Sequence, residues 1–292
     1  MTRNLFIFGA GYVGAAFARA MAARGWAVTA TARTAEAGAT LAAAGIAPAD
    51  PAAGEAMRRA TLAADAILVT AAPDEAGCPA LAALAPRLEA RVGAGARPPG
   101  WIGYLSTTGV YGDRAGGWVT EQSPLAPLSE PARRRVAAEA GWRELGARIG
   151  APVHLFRLPG IYGPGRSAFD RLRDGTARRL ARPGQVFSRI HRDDIVSALV
   201  ASLARGGAGM TFNLCDDEPG PPQDVVAHAA MLLGVEPPPE EAFDLQAISP
   251  ASRRFYGESK RVANARAKAV LGWRPLYPTY REGLAAVLTG GG

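Results

Sequence analysis

Lysine is almost missing from this 292-residue sequence, cysteine and histidine are scarce, and no apolar run is long enough to cross a bilayer. Each shortage excludes something. The two cysteines, Cys78 and Cys215, lie far apart with no Cys or His neighbour at ligand spacing, which argues against a disulfide framework and a zinc cluster. A membrane helix needs about 20 consecutive apolar residues, and none are found. Met1-Thr-Arg-Asn leads straight into an apolar run without a secretory leader, so the expected location is the cytoplasm, with no membrane partner. Lysine occurs only at Lys260 and Lys268, so 31 of the 33 basic residues are arginine. In a chain this rich in Ala, Gly and Pro, the net charge of +7 reflects a coding bias as much as a binding surface. The densest arginine groups, Arg133 to Arg135 and Arg171 to Arg182, have no interleaved aromatics on which bases could stack. The expectation is no nucleic-acid partner, but solvated faces or contacts to an anionic small molecule.

What is present begins at Leu5. Leu5, Phe6, Ile7 and Phe8 form a short continuous apolar run, the pattern of a strand buried on both faces. It breaks at once into Gly9-Ala-Gly11-Tyr12-Val13-Gly14. Ala15 to Arg24 then reads as a helix, with Phe17 and Met21 on one face and Gly25 placed to end it. In a strand, glycine turn and helix of this kind, Gly9 permits the tight turn and Gly11 lets the backbone approach a pyrophosphate. Gly14 allows close helix–strand packing, and the helix N-terminus offers N–H groups and a positive dipole end to the phosphates. The context therefore predicts a dinucleotide site at Gly9, Gly11, Tyr12, Val13 and Gly14.

Trp26 to Ala32 reads as a second strand, and the residue at its end selects the cofactor. An acid there takes the ribose hydroxyls, whereas a basic side chain accommodates a 2′-phosphate. That residue is Arg33, so NADP is favoured and NAD stays open. Leu41 to Ile46 with Asp50 gives a helix end and a strand, Met57 to Leu62 a helix, and Ala66 to Thr70 a further buried strand. The last of these runs into Ala71-Ala72-Pro73, small residues where a strand passes beside a cofactor. Pro79 to Val92 is a helix with Leu81, Leu84 and Leu88 in register, and Trp101 to Ser106 a fifth strand. Alternation this regular predicts an α/β fold: a Rossmann-type, doubly wound parallel sheet with ligands at the carboxyl ends of its strands.

Further motifs occur in a fixed order. They are Ser106-Thr-Thr-Gly-Val-Tyr111-Gly112-Asp113, Arg157-Leu-Pro-Gly-Ile-Tyr162-Gly-Pro164, Ile190-His-Arg-Asp-Asp194-Ile, Phe212-Asn213-Leu and Leu271-Gly-Trp-Arg-Pro275 ahead of Tyr280-Arg-Glu-Gly-Leu284. Together with the glycine turn, this series resembles the extended short-chain dehydrogenase/reductases, the NAD-dependent epimerase/dehydratase group, over nearly the whole chain. The resemblance implies that Gly9, Gly11 and Gly14 hold the pyrophosphate and that Asp50 lies near the adenine. It also implies that Gly160 sits with the cofactor residues and that Thr107 hydrogen-bonds the reacting oxygen of the substrate. A small C-terminal domain that closes over substrate is implied too, and extended members are often dimers, so a homodimer is expected. The expected division is residues 1–165 with 189–215 as the dinucleotide domain, and 166–188 with 216–292 as the substrate domain. Within the latter, Ser167 to Arg182 reads as a basic helix, Glu218 to Pro222 as a Pro-rich connection and Val225 to Leu233 as a helix. Pro237 to Pro239 with Glu240 and Glu241 reads as an exposed linker.

One motif departs from the pattern. The group ordinarily carries Tyr-x-x-x-Lys on the helix after the fifth strand, because residues four apart share one face. The ammonium can then bind the nicotinamide ribose and lower the tyrosine pKa. Aligned on Val136-Ala-Ala-Glu139, this chain has Arg135 in the Lys place and Pro131 in the Tyr place. Arg135 can still bind ribose, but it never yields its proton, and proline has nothing to ionise. The nearest likeness is thus to the atypical members. A second Tyr-x-x-x-Lys, Tyr256-Gly-Glu-Ser-Lys260, falls where the substrate segment is expected; with Arg261 and Asn264 it either lines a substrate pocket or faces solvent. Among the histidines, His154 and His228 read as structural. His191, beside Arg189 and Arg192, is the candidate substitute acid or base, with a structural role as the alternative. Tyr111 and Tyr162 read as core, and Asp193 and Asp194 as caps of a helix starting at Ile195. Two functions remain: an NADP-binding oxidoreductase or epimerase-like enzyme acting on a polar, anionic metabolite with Thr107 and His191 in its site, or a catalytically silent dinucleotide-binding sensor or scaffold.

Overall fold

The apolar run that opens the chain becomes the central strand of a sheet. In a computed structural model, which describes residues 2–244, 246, 248, 253 and 256–290, β1 (Asn4–Phe8) lies between β2 (Ala27–Thr31) and β4 (Ala66–Val69), parallel to both. β3 (Ala47–Ala49) extends one side and β5 (Trp101–Thr107) the other, also in parallel. With β7 (Val153–Leu158) and β11 (Thr211–Asn213) the seven-stranded order is 3-2-1-4-5-7-11. The order reverses between β1 and β4, and in an open α/β sheet that is where the crevice for a ligand lies.

The crossovers are helical: α1 (Tyr12–Ala22), α2 (Ala35–Ala43), α3 (Gly54–Ala63), α4 (Pro79–Gly93) and α5 (Glu130–Ile149). Leu84 and Leu88 of α4 and Trp142 and Leu145 of α5 are fully buried, and they join Phe6, Ile67, Val69, Ile102 and Tyr104 in one apolar layer. Burying a side chain of this size is worth about 1.5–3 kcal/mol, so this layer explains why the strands read as unbroken apolar runs. Near the far end of the sheet, His154 stacks between Trp101 and Phe212 at centroid distances of 6.2 Å each. Burial drives its pKa down to about 4, so the ring is neutral and structural, as the sequence suggested.

The chain divides into two units, Met1–Thr107 with Glu130–Arg157 and Val196–Phe212, and Thr108–Ser129 with Leu158–Ile195 and Asn213–Gly292. The second contains short parallel pairs. β6 (Trp118–Val119) pairs with β13 (Arg261–Val262), β8 (Gly160–Tyr162) with β10 (Arg189–His191), and β9 (Arg179–Ala181) with β12 (Glu240–Ala242). Its helices among the described residues include α6 (Ala168–Arg173), the start of α7 (Arg192–Arg205), α8 (Pro222–Leu233), α9 (Ala265–Leu271) and α10 (Tyr280–Thr289). None of the helices, among the described residues, is long and apolar enough to cross a membrane.

The structure corrects three local expectations. The basic helix expected over 167–182 ends at Arg173, because Asp174 turns the chain by accepting the Thr176 N–H at 2.9 Å and Gly175 takes φ +71°. Beyond this turn the chain enters β9. The stretch expected as an exposed linker after Pro239 supplies its partner β12, pinned by Arg178–Glu241 and Arg179–Glu240 ion pairs at 2.5 and 3.3 Å. Local sequence could not show that pairing, which joins segments about 60 residues apart in the chain. Finally, α7 starts at Arg192 rather than Ile195, so Asp194 lies inside its first turn. The His191 ring is the cap, its Nδ1 accepting the Asp193 N–H at 3.2 Å. Asp194 instead accepts the backbone N–H groups of Leu276 and Tyr277 at 2.5 and 3.3 Å.

Candidate functional site

The glycine turn is locked by two threonines that sequence reasoning passed over. Gly9 has φ +105°, open to glycine and rare for other residues. Its N–H donates to Thr31 Oγ1 at 2.8 Å, and its carbonyl accepts from Thr70 Oγ1 at 2.5 Å. Thr31 ends β2 and Thr70 directly follows β4, so the segments on both sides of β1 hold the turn. A Cβ on Gly14 would stand 2.2 Å from the Gly9 carbonyl oxygen, so only glycine lets α1 sit this close. Gly11 differs: a Cβ there would meet nothing within 4 Å, and as N-cap of α1 it offers no side-chain hydrogen bond. Open space, an uncapped helix N-terminus and small residues beside it fit a pyrophosphate group.

Other expected cofactor residues lie on the same edge of the sheet. Ala71 follows β4, with its N–H directed to the Phe8 carbonyl at 3.4 Å, and Ala72 and Pro73 come next. Arg33 and Asp50 follow the paired ends Thr31 and Ala49 of β2 and β3, and both are exposed. Asp50 Oδ1 accepts the Ala52 N–H at 2.8 Å. Thr107, half-buried, closes β5. Arg135 on α5 donates to the Leu105 carbonyl, and its guanidinium lies 5.7 Å from the Tyr104 ring centroid. Pro131 is exposed near the start of the same helix.

Beneath Thr107 is a buried ionic triad that the sequence did not announce. Arg157 grips Glu139 with Nε on Oε1 at 3.0 Å and Nη2 on Oε2 at 2.7 Å, and the Ser106 hydroxyl donates to Oε1 at 2.6 Å. The Arg157 and Glu139 side chains are 3% and 1% exposed. The fork satisfies both carboxylate oxygens, which is what makes a buried charge pair tolerable. It ties β5, α5 and β7 together one residue before Thr107. The signal was a Glu on the apolar face of α5 and an Arg inside an apolar strand.

Gly160 and His191 belong to the second unit. Gly160 opens β8, paired with Arg189. His191 is 2% exposed and wedged edge-on against Tyr162 and Tyr277, with centroids at 5.3 and 4.4 Å. Burial holds its pKa down to about 4, against an opposing pull from Asp193. With Nδ1 capping α7 and the ring sealed and neutral, His191 serves as a helix anchor. Tyr111 is core, its hydroxyl on Asn213 Oδ1 at 2.7 Å. Tyr162 is only half-buried and lines a cavity, as does Tyr256; Lys260 turns to Glu258 instead.

Two carboxyls near Tyr162 are unusual. Asp216 is 2% exposed, neither of its oxygens has a hydrogen-bond partner among the described residues, and burial raises its pKa to about 8 against the pull of Arg189. Burial also raises Asp194 to about 7, opposed by its two backbone donors. An unfolded aspartate titrates near ~3.9, so between about pH 4 and pH 8 the folded chain binds more protons than the unfolded one. Stability therefore falls as pH rises through that window. Urea unfolding should show a lower midpoint at pH 8 than at pH 5, and Asp216→Asn should flatten the difference. An unchanged slope in that variant would place the titration elsewhere.

A switch-point crevice with a glycine turn at the helix N-terminus defines a dinucleotide-binding α/β protein. The model of the NAD dependent epimerase/dehydratase family matches residues 5–215, and the chain belongs to that family. It is similar to a solved structure described as a functionally unknown conserved protein from Silicibacter pomeroyi DSS, with 44% identity, 99% of each chain covered and a TM-score of 0.89. A 3-diazoavenalumate denitrifying reductase of a Streptomyces species is 32% identical over 144 residues, 44% of this chain and 45% of that protein. Protein YeeZ of Escherichia coli K12 is 32% identical over 137 residues, 46% of this chain and 47% of that protein. The chain thus spans less than half the length of the curated relatives it matches.

Proposed function

We propose that this protein is an NAD(P)-dependent oxidoreductase or epimerase-like enzyme acting on an anionic small molecule. The observation that carries the reading is the contrast within the turn: Gly9 and Gly14 are locked, while Gly11 faces open space beside the uncapped start of α1. When bound there, the dinucleotide supplies hydride transfer. The amides of α1 and the backbone at Gly11 hold its phosphates, and Arg33, exposed beyond β2, favours a 2′-phosphate and so NADP. Thr107 holds the reacting oxygen of the substrate, kept in place by the Ser106–Glu139–Arg157 triad. No phenol is available at position 131, and His191 is sealed, so the proton on the substrate oxygen exchanges with water held at Thr107. The likeness to a named reductase supports redox chemistry.

The exposed Pro131 in the place of the expected tyrosine favours a second reading, a dinucleotide-binding sensor without turnover. Titration with NADPH and NADH, followed by a panel of carbonyl and aryl substrates monitored for oxidation of the bound cofactor, separates the two. Turnover of any compound establishes the enzyme. Arg33→Ala should weaken NADPH by about tenfold or more and NADH by less than about twofold, the loss of one charge-assisted phosphate contact. Equal weakening of both would remove the 2′-phosphate assignment.

A further inference from the structure

The second unit contains a half-open cavity of about 610 Å³, within the ordinary range for small-molecule sites. Its lining is chemically lopsided. It includes three arginines, Arg166, Arg171 and Arg189, and a single carboxylate, Asp170. That carboxylate is already committed, since one of its oxygens accepts the Ser167 N–H at 2.6 Å and the Ser167 hydroxyl at 2.9 Å. Much of the remaining wall is aromatic or aliphatic. Tyr256 meets Phe187 edge-on with centroids 5.5 Å apart. Tyr162 rests over α10 so closely that a Cβ on Gly283 would stand 1.9 Å from its hydroxyl.

Arg189 is the centre of this arrangement. It is 9% exposed, and its two terminal nitrogens donate to the carbonyls of Phe187 and Gly220 at 3.2 and 2.9 Å. Its guanidinium lies 5.4 Å from the Tyr280 ring centroid, and it enters no ion pair among the described residues. The nearby Asp216 attracts it without a direct ion pair, and burial pushes that carboxyl's own pKa up, so the guanidinium is only partly compensated. A buried guanidinium with no direct ion pair is costly, and an anion entering the cavity relieves the cost. What carries the anion is set by the walls. Among the described residues, no Asn, Gln, Thr or Lys lines the cavity, and Ser167 is spent on Asp170, so beyond the arginines and the three tyrosine hydroxyls the wall has few groups for the hydroxyls of a sugar ring. Aromatic faces around a cation suit a flat, apolar body.

We propose that this cavity binds a planar aromatic carboxylate, its carboxylate on Arg189 and its ring against the faces of Tyr162, Tyr256 and Tyr280. This rests on the reading of the protein as an enzyme for an anionic small molecule and names the class of that molecule. The exposed Arg171 on α6 adds long-range attraction at the rim.

Calorimetric titration of the full chain with cinnamate, with its neutral amide cinnamamide, and with UDP tests the idea, with NADPH titrated separately. Cinnamate should bind, the amide should bind at least about tenfold more weakly, and Arg189→Gln should weaken cinnamate at least about tenfold while NADPH affinity is retained. Should Arg189→Gln fail to fold, Arg171→Gln provides the check: a two- to fivefold loss for cinnamate, shrinking with added salt, and none for the amide. Equal affinity for acid and amide overturns the proposal, as does failure to bind cinnamate in a chain that binds NADPH. UDP binding more tightly and displacing cinnamate overturns it in favour of a nucleotide. Loss of NADPH binding with cinnamate binding intact would instead remove the dinucleotide reading and leave this one standing.

Discussion

Glu139→Leu alone should destabilise the protein by about 3–5 kcal/mol, the usual cost of leaving one member of a buried ion pair without its partner. Arg157 is 2% exposed, so its guanidinium cannot turn to water when the carboxylate is gone. Losing Glu139 also strands the Ser106 hydroxyl, which donates to it at 2.6 Å. Replacing both partners, as in Glu139→Leu with Arg157→Met, should recover most of the loss, because two apolar side chains need no desolvation offset. Urea denaturation of wild type, both single variants and the double variant forms the cycle. A Glu139→Leu protein within about 0.5 kcal/mol of wild type, the range of ordinary surface changes, would show that the triad contributes nothing. The double variant also separates stability from function. If the triad positions Thr107, the double variant should fold well yet have a lowered kcat with NADPH affinity unchanged.

Gly14→Ala and Gly11→Asp should fail in opposite ways. A Cβ on Gly14 would meet the Gly9 carbonyl oxygen at 2.2 Å and the Thr70 methyl at 3.3 Å. Neither can retreat cheaply, because the first is backbone and Thr70 is held by its own hydrogen bond to that same carbonyl. Helix α1 must move off β1, at about 1–3 kcal/mol for the overpacking, and dinucleotide binding should be lost with it. At Gly11 the backbone has φ −75°, suited to any residue, and the side-chain direction is empty. Aspartate there is a good N-cap, so stability should hold or rise by up to about 1 kcal/mol. Its carboxylate nevertheless stands where the pyrophosphate belongs, and affinity for NADPH and NADH should fall below detection in calorimetry. Unchanged affinity in Gly11→Asp would remove the dinucleotide site from the turn. A Gly14→Ala protein as stable as wild type would mean that α1 and β1 do not need their close approach.

The sheet was legible because its strands are buried on both faces, so each reads as a short apolar run ending at a glycine or small residue. The turn at Gly9 was legible for a related reason, since glycines at that spacing are demanded by backbone geometry rather than by packing. For His191 the surroundings favour the structural alternative. Its neighbours Arg189 and Arg192 suggested a reactive site, but they could not show that the ring is sealed between Tyr162 and Tyr277 and caps α7. The same limit hid Asp194, whose partners Leu276 and Tyr277 come from about 80 residues further on. Nor could spacing reveal that Tyr256 joins Tyr162 and Arg189 at one cavity.

The sequence by itself determined the strand–turn–helix at Gly9 to Gly14, the alternation that makes a parallel sheet, and the absence of a phenol at position 131. These are matters of local backbone geometry, periodicity and residue identity, and each is written within a few neighbouring positions. Tertiary structure alone decided which polar groups are buried together: Ser106 with Glu139 and Arg157, Thr31 and Thr70 on Gly9, and Arg189, with no ion pair among the described residues, at the wall of an aromatic cavity. Burial and hydrogen-bond satisfaction depend on partners brought from distant parts of the chain, and a charge acquires its cost and its use only once water has been removed from around it.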